Sequence, residues 1–329
     1  MTGNQPRGGP LPPTRRFGGI RVIAFSLALL GSTTRADDEL KEHTITMGDS
    51  IRRVFVHRPI RTREGARLPV VMILHGGGGK AEALHATYGF RPFIEKGECI
   101  AVYPSAIAGQ WMPTTDEVRF LDAVLDQVIA TEPVDPRFLF LTGASRGGIM
   151  TFYALPRLRH PVRAAGTVIA GILPAIATEF RLDEPVDFLM INGTDDPLIP
   201  FAGGWGAMRT PRRTGSPDAK ILPIRETIEM VARENGIATE PVVSTLGDTD
   251  PTDGCTNEVL TWQAPDDSTR TVLIRVIGGG HVVPGGRQYL PKAWIGAACR
   301  DFDHAEVMWR FFRESMHGPE PPEKFPLVR

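Results

Sequence analysis

Ser145 lies between glycines in the run Gly143-Ala144-Ser145-Arg146-Gly147, a G-x-S-x-G spacing that lets neighbouring backbone close in on both sides of one hydroxyl. A serine on so cramped a turn suits acyl transfer: attack on a carbonyl, a covalent acyl intermediate, then release to water. The attack creates an oxyanion, which needs N–H donors. His75-Gly76-Gly77-Gly78-Gly79 is a second glycine run whose amides can approach closely. Gly77 is a candidate for one donor, and Arg146, next after the serine, for the other. The serine needs a base, and the base an orienting acid, here in the chain order Ser, acid, His. Asn192-Gly193-Thr194-Asp195-Asp196-Pro197 offers the carboxylates and Gly278-Gly279-Gly280-His281 the imidazole. Of the eight histidines, His281 alone stands on a glycine-rich loop that follows both a strand-like run and the acids. His75 reads as a brace for its own loop, and the other six as surface or packing residues.

These groups need elements to hold them, and each follows a short apolar run. Val70–Leu74 precedes the His75 loop, Arg137–Leu141 the serine, Val186–Ile191 the acids and Thr271–Ile277 the histidine. Such runs, with little alternation, predict strands covered on both faces. Ile149–Leu155, free of Gly and Pro, predicts a helix directly after Ser145, which completes a strand-turn-helix context. Val118, Leu121, Leu125 and Val128 repeat at helical spacing after Asp116, and Ile224–Ala232 and Glu306–Phe312 predict later helices. Thr44 to His57 alternates around Gly48-Asp49 and predicts an opening hairpin. The expected fold class is α/β, a mostly parallel central sheet flanked by helices in a single domain. The glycine run at 76–79 lacks the Lys-Ser/Thr pair of a phosphate loop and the spacing of a dinucleotide fingerprint.

Taken together, these segments resemble the α/β-hydrolase esterases that include polyhydroxybutyrate depolymerases and feruloyl or acetylxylan esterases, particularly the secreted depolymerase-like branch. The resemblance runs from about Arg52 to Phe312. It rests on the His75 loop, Tyr103-Pro104 followed by Trp111, Asp116-Glu117-Val118 with Phe120-Leu121, the Ser145 turn, Gly193-Thr194-Asp195-Asp196-Pro197, Gly278-Gly279-Gly280-His281 with Pro284-Gly285-Gly286, and Asp301-Phe302-Asp303 with Trp309 and Phe311-Phe312. The family's G-T-x-D pattern selects Asp196 over Asp195, so the resemblance implies a triad of Ser145, Asp196 and His281. It also places Trp111 in the substrate cleft, where its face would bind substrate; the alternative is a tryptophan closing the core beneath a loop. Two departures stand out. Family members commonly carry Thr-Trp-Pro after the histidine, whereas this chain has Val282-Val283-Pro284. Arg146 occupies a position that is often small or an amide; its guanidinium either holds a carboxylate on the substrate or points outward to a nearby acid.

The resemblance implies an ester substrate, a small ester, oligomer or polyester, with hydroxyalkanoate esters first and feruloyl or acetylxylan esters as the alternative. A non-catalytic binding protein on the same fold is a third reading, which would not require the serine, acid, histidine and both glycine loops together. No cofactor is implied. Without H-E-x-x-H or a Cys/His cluster at ligand spacing, no metal mechanism is expected either.

Bulk properties fit this class. With 329 residues, 42% hydrophobic residues and a formal net charge of −1, the chain can bury one large core and has no electrostatic footprint for nucleic acid. The basic loop Arg209-Thr210-Pro211-Arg212-Arg213 has no interleaved aromatics and reads as solvated; Phe201 to Pro217 is expected to rim the site. At the start, Arg7, Arg15, Arg16 and Arg21 precede the apolar run Val22–Leu30, which is too short for a bilayer that needs roughly 20 residues. Followed by Gly31-Ser32-Thr33-Thr34-Arg35-Ala36, it reads as a signal peptide over residues 1–36 with the catalytic domain over 37–329. A secreted or periplasmic protein with no membrane span after cleavage is expected, and Arg15-Arg16-Phe17 hints at twin-arginine export. Export permits disulfides. The three cysteines allow one bridge with one left over, or none: Cys99 reads as a buried thiol, and a bridge between Cys255 and Cys299 would link two loop regions.

Overall fold

Strands with apolar residues at successive positions must be covered on both faces, and those of this chain are. In the computed structural model, which describes residues 38–206 and 220–316, β3 (Leu68–Leu74) is buried throughout. Its Val70, Met72 and Leu74 face one core, and Val71 and Ile73 the other. The same division recurs in β4 (Ile100–Pro104), β5 (Val134–Ala144) and β7 (Asp187–Gly193). There Val102, Leu141 and Met190 lie on the first face and Ala101, Phe140 and Leu189 on the second. The period of two that defines a strand thus feeds two separate cores.

The remaining strands are β1 (Asp38–Met47), β2 (Ser50–Pro59), β6 (Ala164–Val168), β8 (Gly204–Trp205), β9 (Lys220–Ile221), β10 (Val242–Ser244), β11 (Thr256–Gln263) and β12 (Arg270–Ile277). Ten of the twelve form one sheet in the order β1-β2-β4-β3-β5-β6-β7-β12-β11-β10, and β8 pairs with β9 separately. From β4 to β12 the neighbours run parallel, while β1 and β2 at one edge and β11 and β10 at the other are antiparallel additions.

The helices are α1 (Ala81–Thr87), α2 (Arg91–Glu95), α3 (Thr115–Thr131), α4 (Arg146–Ala154), α5 (Pro174–Glu179), α6 (Ile224–Glu234), α7 (Lys292–Ile295) and α8 (His304–Met316). One face of the sheet receives α3, α4, α5 and α6 through Phe120, Phe152, Ile176 and Ile228. The other receives α1, α2 and α8 through Leu84, Ile94, Trp309 and Phe312. There Phe312 stacks on Phe140 with centroids 4.7 Å apart. The long helix α3 starts where Thr114 Oγ1 accepts the Glu117 N–H, and Asp116 and Glu117 place negative charge in its first turn.

Alternating strands and helices around a mostly parallel sheet match the expected α/β class, and the described residues fall within one compact unit. The opening hairpin, the helix after the serine and the two late helices stand where the spacing predicts them, each longer by a few residues at one or both ends. Among the described residues no helix is long and apolar enough to cross a membrane. The signal expected over 1–36, the basic loop 209–213 and most of the rim expected over 201–217 lie outside the described residues.

Candidate active site

All four groups of chemical interest sit at the carboxyl ends of parallel strands. The Gly76–Gly77 loop leaves β3, Ser145 leaves β5, Asp196 follows β7 and His281 follows β12. β4 lies on one side of β3 and β5 on the other, so the connections diverge there and open a crevice above the strand ends.

Ser145 adopts φ 52° and ψ −117°, a conformation that costs a non-glycine residue roughly 1–3 kcal/mol. Its surroundings enforce it. The Ser145 N–H donates to Val168 O at 3.0 Å, and Ser145 O accepts the Ile149 N–H at 3.0 Å as α4 begins. The flanking glycines are required by contact: a Cβ on Gly147 would sit 2.1 Å from Leu74 O, and one on Gly143 2.4 Å from the Gly147 carbonyl carbon. The turn therefore packs directly on the end of β3, where the glycine loop starts.

Ser145 Oγ lies 3.0 Å from His281 Nε2, and His281 Nδ1 lies 2.7 Å from Asp196 Oδ2. With Nδ1 donating to the carboxylate, Nε2 is left to accept the serine proton. The other oxygen, Asp196 Oδ1, accepts the N–H groups of Leu198 at 2.8 Å and Ile199 at 2.9 Å. The carboxylate is thus buried yet fully engaged. Asp195, by contrast, is exposed and accepts from Thr194 Oγ1. His281 is held from behind as well: its N–H donates to Ile295 O, and its own carbonyl accepts from Tyr289 Oη at 3.1 Å. Neither Tyr289 nor Ile295 is legible in the sequence as a site residue: Ile295 acts through its own carbonyl, and the Tyr289 hydroxyl reaches a backbone carbonyl that no residue spacing marks.

The glycine loop closes over the serine. A Cβ on Gly76 would lie 3.7 Å from Ser145 Cβ, and one on Gly77 2.8 Å from Arg146 Cδ. Gly78 N–H donates to Gly109 O and Gly79 N–H to Gly76 O, whereas among the described residues nothing accepts the Gly77 N–H. His75 fixes this loop. Its Nε2 accepts the Ala106 N–H at 3.1 Å, so its proton sits on Nδ1 and is donated to Gly76 O at 2.8 Å. Burial pushes the His75 pKa down, which keeps the ring neutral as that pattern requires. Arg146 is half-buried along the same loop, and burial lowers its pKa.

One expectation needs correction. Trp111 was expected to present its face in the substrate cleft, but only 2% of its surface is exposed. Its indole N–H donates to His75 O at 3.0 Å and its ring lies against the His75 ring, centroids 5.2 Å apart. The large apolar ring is covered behind the glycine loop, and its one donor serves the backbone of that loop. Cys255 and Cys299 are both buried free thiols.

No family model matches the chain. Among curated proteins it is 29% identical over 257 residues to "Putative esterase NocK" of Nocardia uniformis subsp. tsuyamanensis, covering 73% of this chain and 72% of that one. It is 33% identical over 138 residues to feruloyl esterase C of Emericella nidulans, covering 40% of this chain and 50% of the other. The match thus spans half of that feruloyl esterase. Among solved structures, acetyl xylan esterase from Aspergillus awamori superposes with a TM-score of 0.57 at 14% identity, covering 84% of this chain and 99% of that one. Fold and strand-end geometry define an α/β hydrolase. Within that class the chain is a serine carboxylic ester hydrolase, similar in sequence to the esterases named above.

Proposed function

We propose that Ser145, His281 and Asp196 form the catalytic triad of an exported esterase that works through an acyl-enzyme. The observation that carries this reading is the continuous path from Ser145 Oγ through the His281 ring to Asp196, set on a strained turn beneath a glycine loop. In the forward step, His281 Nε2 takes the Ser145 proton as Oγ attacks the ester carbonyl. Asp196 holds the imidazole in the Nδ1–H tautomer and stabilises its cation. The developing oxyanion is held by the N–H groups of Gly77 and Arg146. The protonated His281 returns its proton to the leaving alcohol, and water then repeats the sequence on the acyl-serine.

The substrate is an ester of the hydroxyalkanoate class, as an oligomer or polyester, or a feruloyl or acetyl ester of plant cell wall. The relatives named feruloyl esterase and acetyl xylan esterase favour the second. Exposed apolar side chains on segments following Asp196 and His281 suit an extended substrate of either kind: Trp205 is 58%, Tyr289 57% and Trp294 63% exposed. The deciding experiment measures release of 3-hydroxybutyrate from amorphous polyhydroxybutyrate and turnover of methyl ferulate, with Ser145→Ala as the blank. Loss of the serine should lower kcat on the order of 10⁶-fold, and near wild-type turnover by Ser145→Ala would refute the nucleophile. Serine-dependent release from the polyester identifies the first substrate class; turnover of methyl ferulate alone identifies the second.

A further inference from the structure

The sulfur atoms of Cys255 and Cys299 lie within 4.8 Å of one another and of a carboxylate oxygen of Asp253, and all three residues are buried. Cys255 directly precedes β11, while Cys299 belongs to the strap that follows α7. The carboxylate between them already staples the two segments together: Asp253 Oδ1 accepts the Cys255 N–H at 2.6 Å and Oδ2 the Arg300 N–H at 2.6 Å. Both of its oxygens are thus committed to backbone donors. The cluster offers only three donor atoms, one of which belongs to that carboxylate, a poor set for a closed tetrahedral metal site.

What the strap holds gives the pair its significance. Carbonyls of the strap and of the α7 end that leads into it accept three N–H groups of the loop that carries His281: Gly280 donates to Ala297 O, Gly285 to Cys299 O, and His281 to Ile295 O at the end of α7. The position of the imidazole therefore depends on the position of the strap, and the strap meets the sheet at Cys255.

We propose that Cys255 and Cys299 are joined as a disulfide when the chain matures in an oxidising compartment, and that this bond locks the strap that seats His281. The oxidant is a low-molecular-weight disulfide. A thiolate of the pair attacks it and releases one thiol; the second cysteine then attacks the mixed disulfide and releases the other. Two protein thiols lose two electrons and two protons, and the donor is reduced to two thiols. The bond itself does not depend on the triad assignment, whereas its effect on turnover rests on that assignment.

The full chain is equilibrated with reduced and oxidised glutathione in sub-denaturing urea, so that the buried thiols are sampled, then alkylated in denaturant and mapped by mass spectrometry. A peptide pair cross-linked through Cys255 and Cys299 is expected, with only Cys99 alkylated. Reduction should lower Tm by about 5 °C and shorten the half-life of esterase activity on heating. Cys255→Ser and Cys299→Ser should behave as the reduced protein and no longer respond to reductant, while Cys99→Ser should respond as wild type does. Where a serine variant fails to fold, the wild-type comparison with and without reductant carries the test. Alkylation of all three cysteines, a stable glutathione adduct, or zinc retained by two free thiols would overturn the disulfide. A cross-link whose reduction leaves Tm and activity half-life unchanged would overturn the strap. If Ser145→Ala kept turnover, the triad reading would fail while the mass map still decided the bond.

Discussion

Asp196→Asn separates the acid from its exposed neighbour and tests the tautomer argument directly. In the wild type, Oδ1 accepts two backbone N–H groups, from Leu198 and Ile199, and Oδ2 faces His281 Nδ1 at 2.7 Å. An asparagine must keep its carbonyl toward the two donors, since an NH₂ there would confront both of them. The NH₂ group is then forced opposite His281 Nδ1 and donates to it. The imidazole proton moves to Nε2, the atom 3.0 Å from Ser145 Oγ, and the ring can no longer accept the serine proton. The expected loss in kcat is about 10⁴-fold, or about 5.5 kcal/mol of transition-state stabilisation. Stability should change by less than about 1 kcal/mol, because the Leu198 and Ile199 bonds survive. Asp195→Asn, which alters an exposed carboxylate bonded to Thr194, should leave kcat within about twofold on the same chromogenic ester. Retention of more than a tenth of wild-type kcat by Asp196→Asn, or an equal fall in Asp195→Asn, would refute the reasoning.

Further outcomes follow from the same geometry. Gly147→Ala drives a Cβ to within 2.1 Å of Leu74 O and should destabilise the fold by about 3 kcal/mol or more in urea titration. Trp111→Phe leaves the buried His75 carbonyl without its donor and should lower stability by about 1–3 kcal/mol with KM unchanged; a raised KM at unchanged Tm would restore the cleft reading. Burial lowers the pKa of His75, and also that of His304, below the usual 6.5. The unfolded chain therefore binds more protons, so this stability is fully present above about pH 6.5 and is lost as pH falls toward the lowered folded values. Tm should drop between pH 7 and 5, less steeply in His75→Gln, and an identical slope in the variant would exclude His75 as a contributor.

The strands with bulky apolar runs were legible because their composition reports burial on both faces. β6, Ala164–Val168, was not: its residues are Ala, Ala, Gly, Thr and Val, and the reason for small side chains is spatial. A Cβ on Gly166 would lie 2.5 Å from the sulfur of Met308 on α8, a contact between residues far apart in sequence. The three candidate triad residues were legible because glycine-rich loops flank them at strand ends. The choice of Asp196 over Asp195 came from family resemblance; in the structure Asp196 is the buried one of the two, and two N–H groups orient its carboxylate. Trp111 misled because an indole beside a site can serve either a substrate or a backbone carbonyl, and spacing does not distinguish them. Of the supports of His281, Ile295 acts through its carbonyl and leaves no mark on residue type, while the Tyr289 hydroxyl meets a backbone carbonyl that the sequence does not single out.

The wide separation of the site's parts along the chain has a kinetic consequence. Ser145 and His281 are 136 positions apart, Asp196 and His281 85, and the last two meet only when β12 docks in parallel against β7. Such non-local pairing forms slowly, after its loop-closure entropy has been met. An intermediate with β3 to β7 assembled would have the Ser145 turn and the glycine loop but not yet His281 beside them. During refolding, recovered esterase activity would therefore time the docking of one strand, and would lag behind the signal of sheet formation.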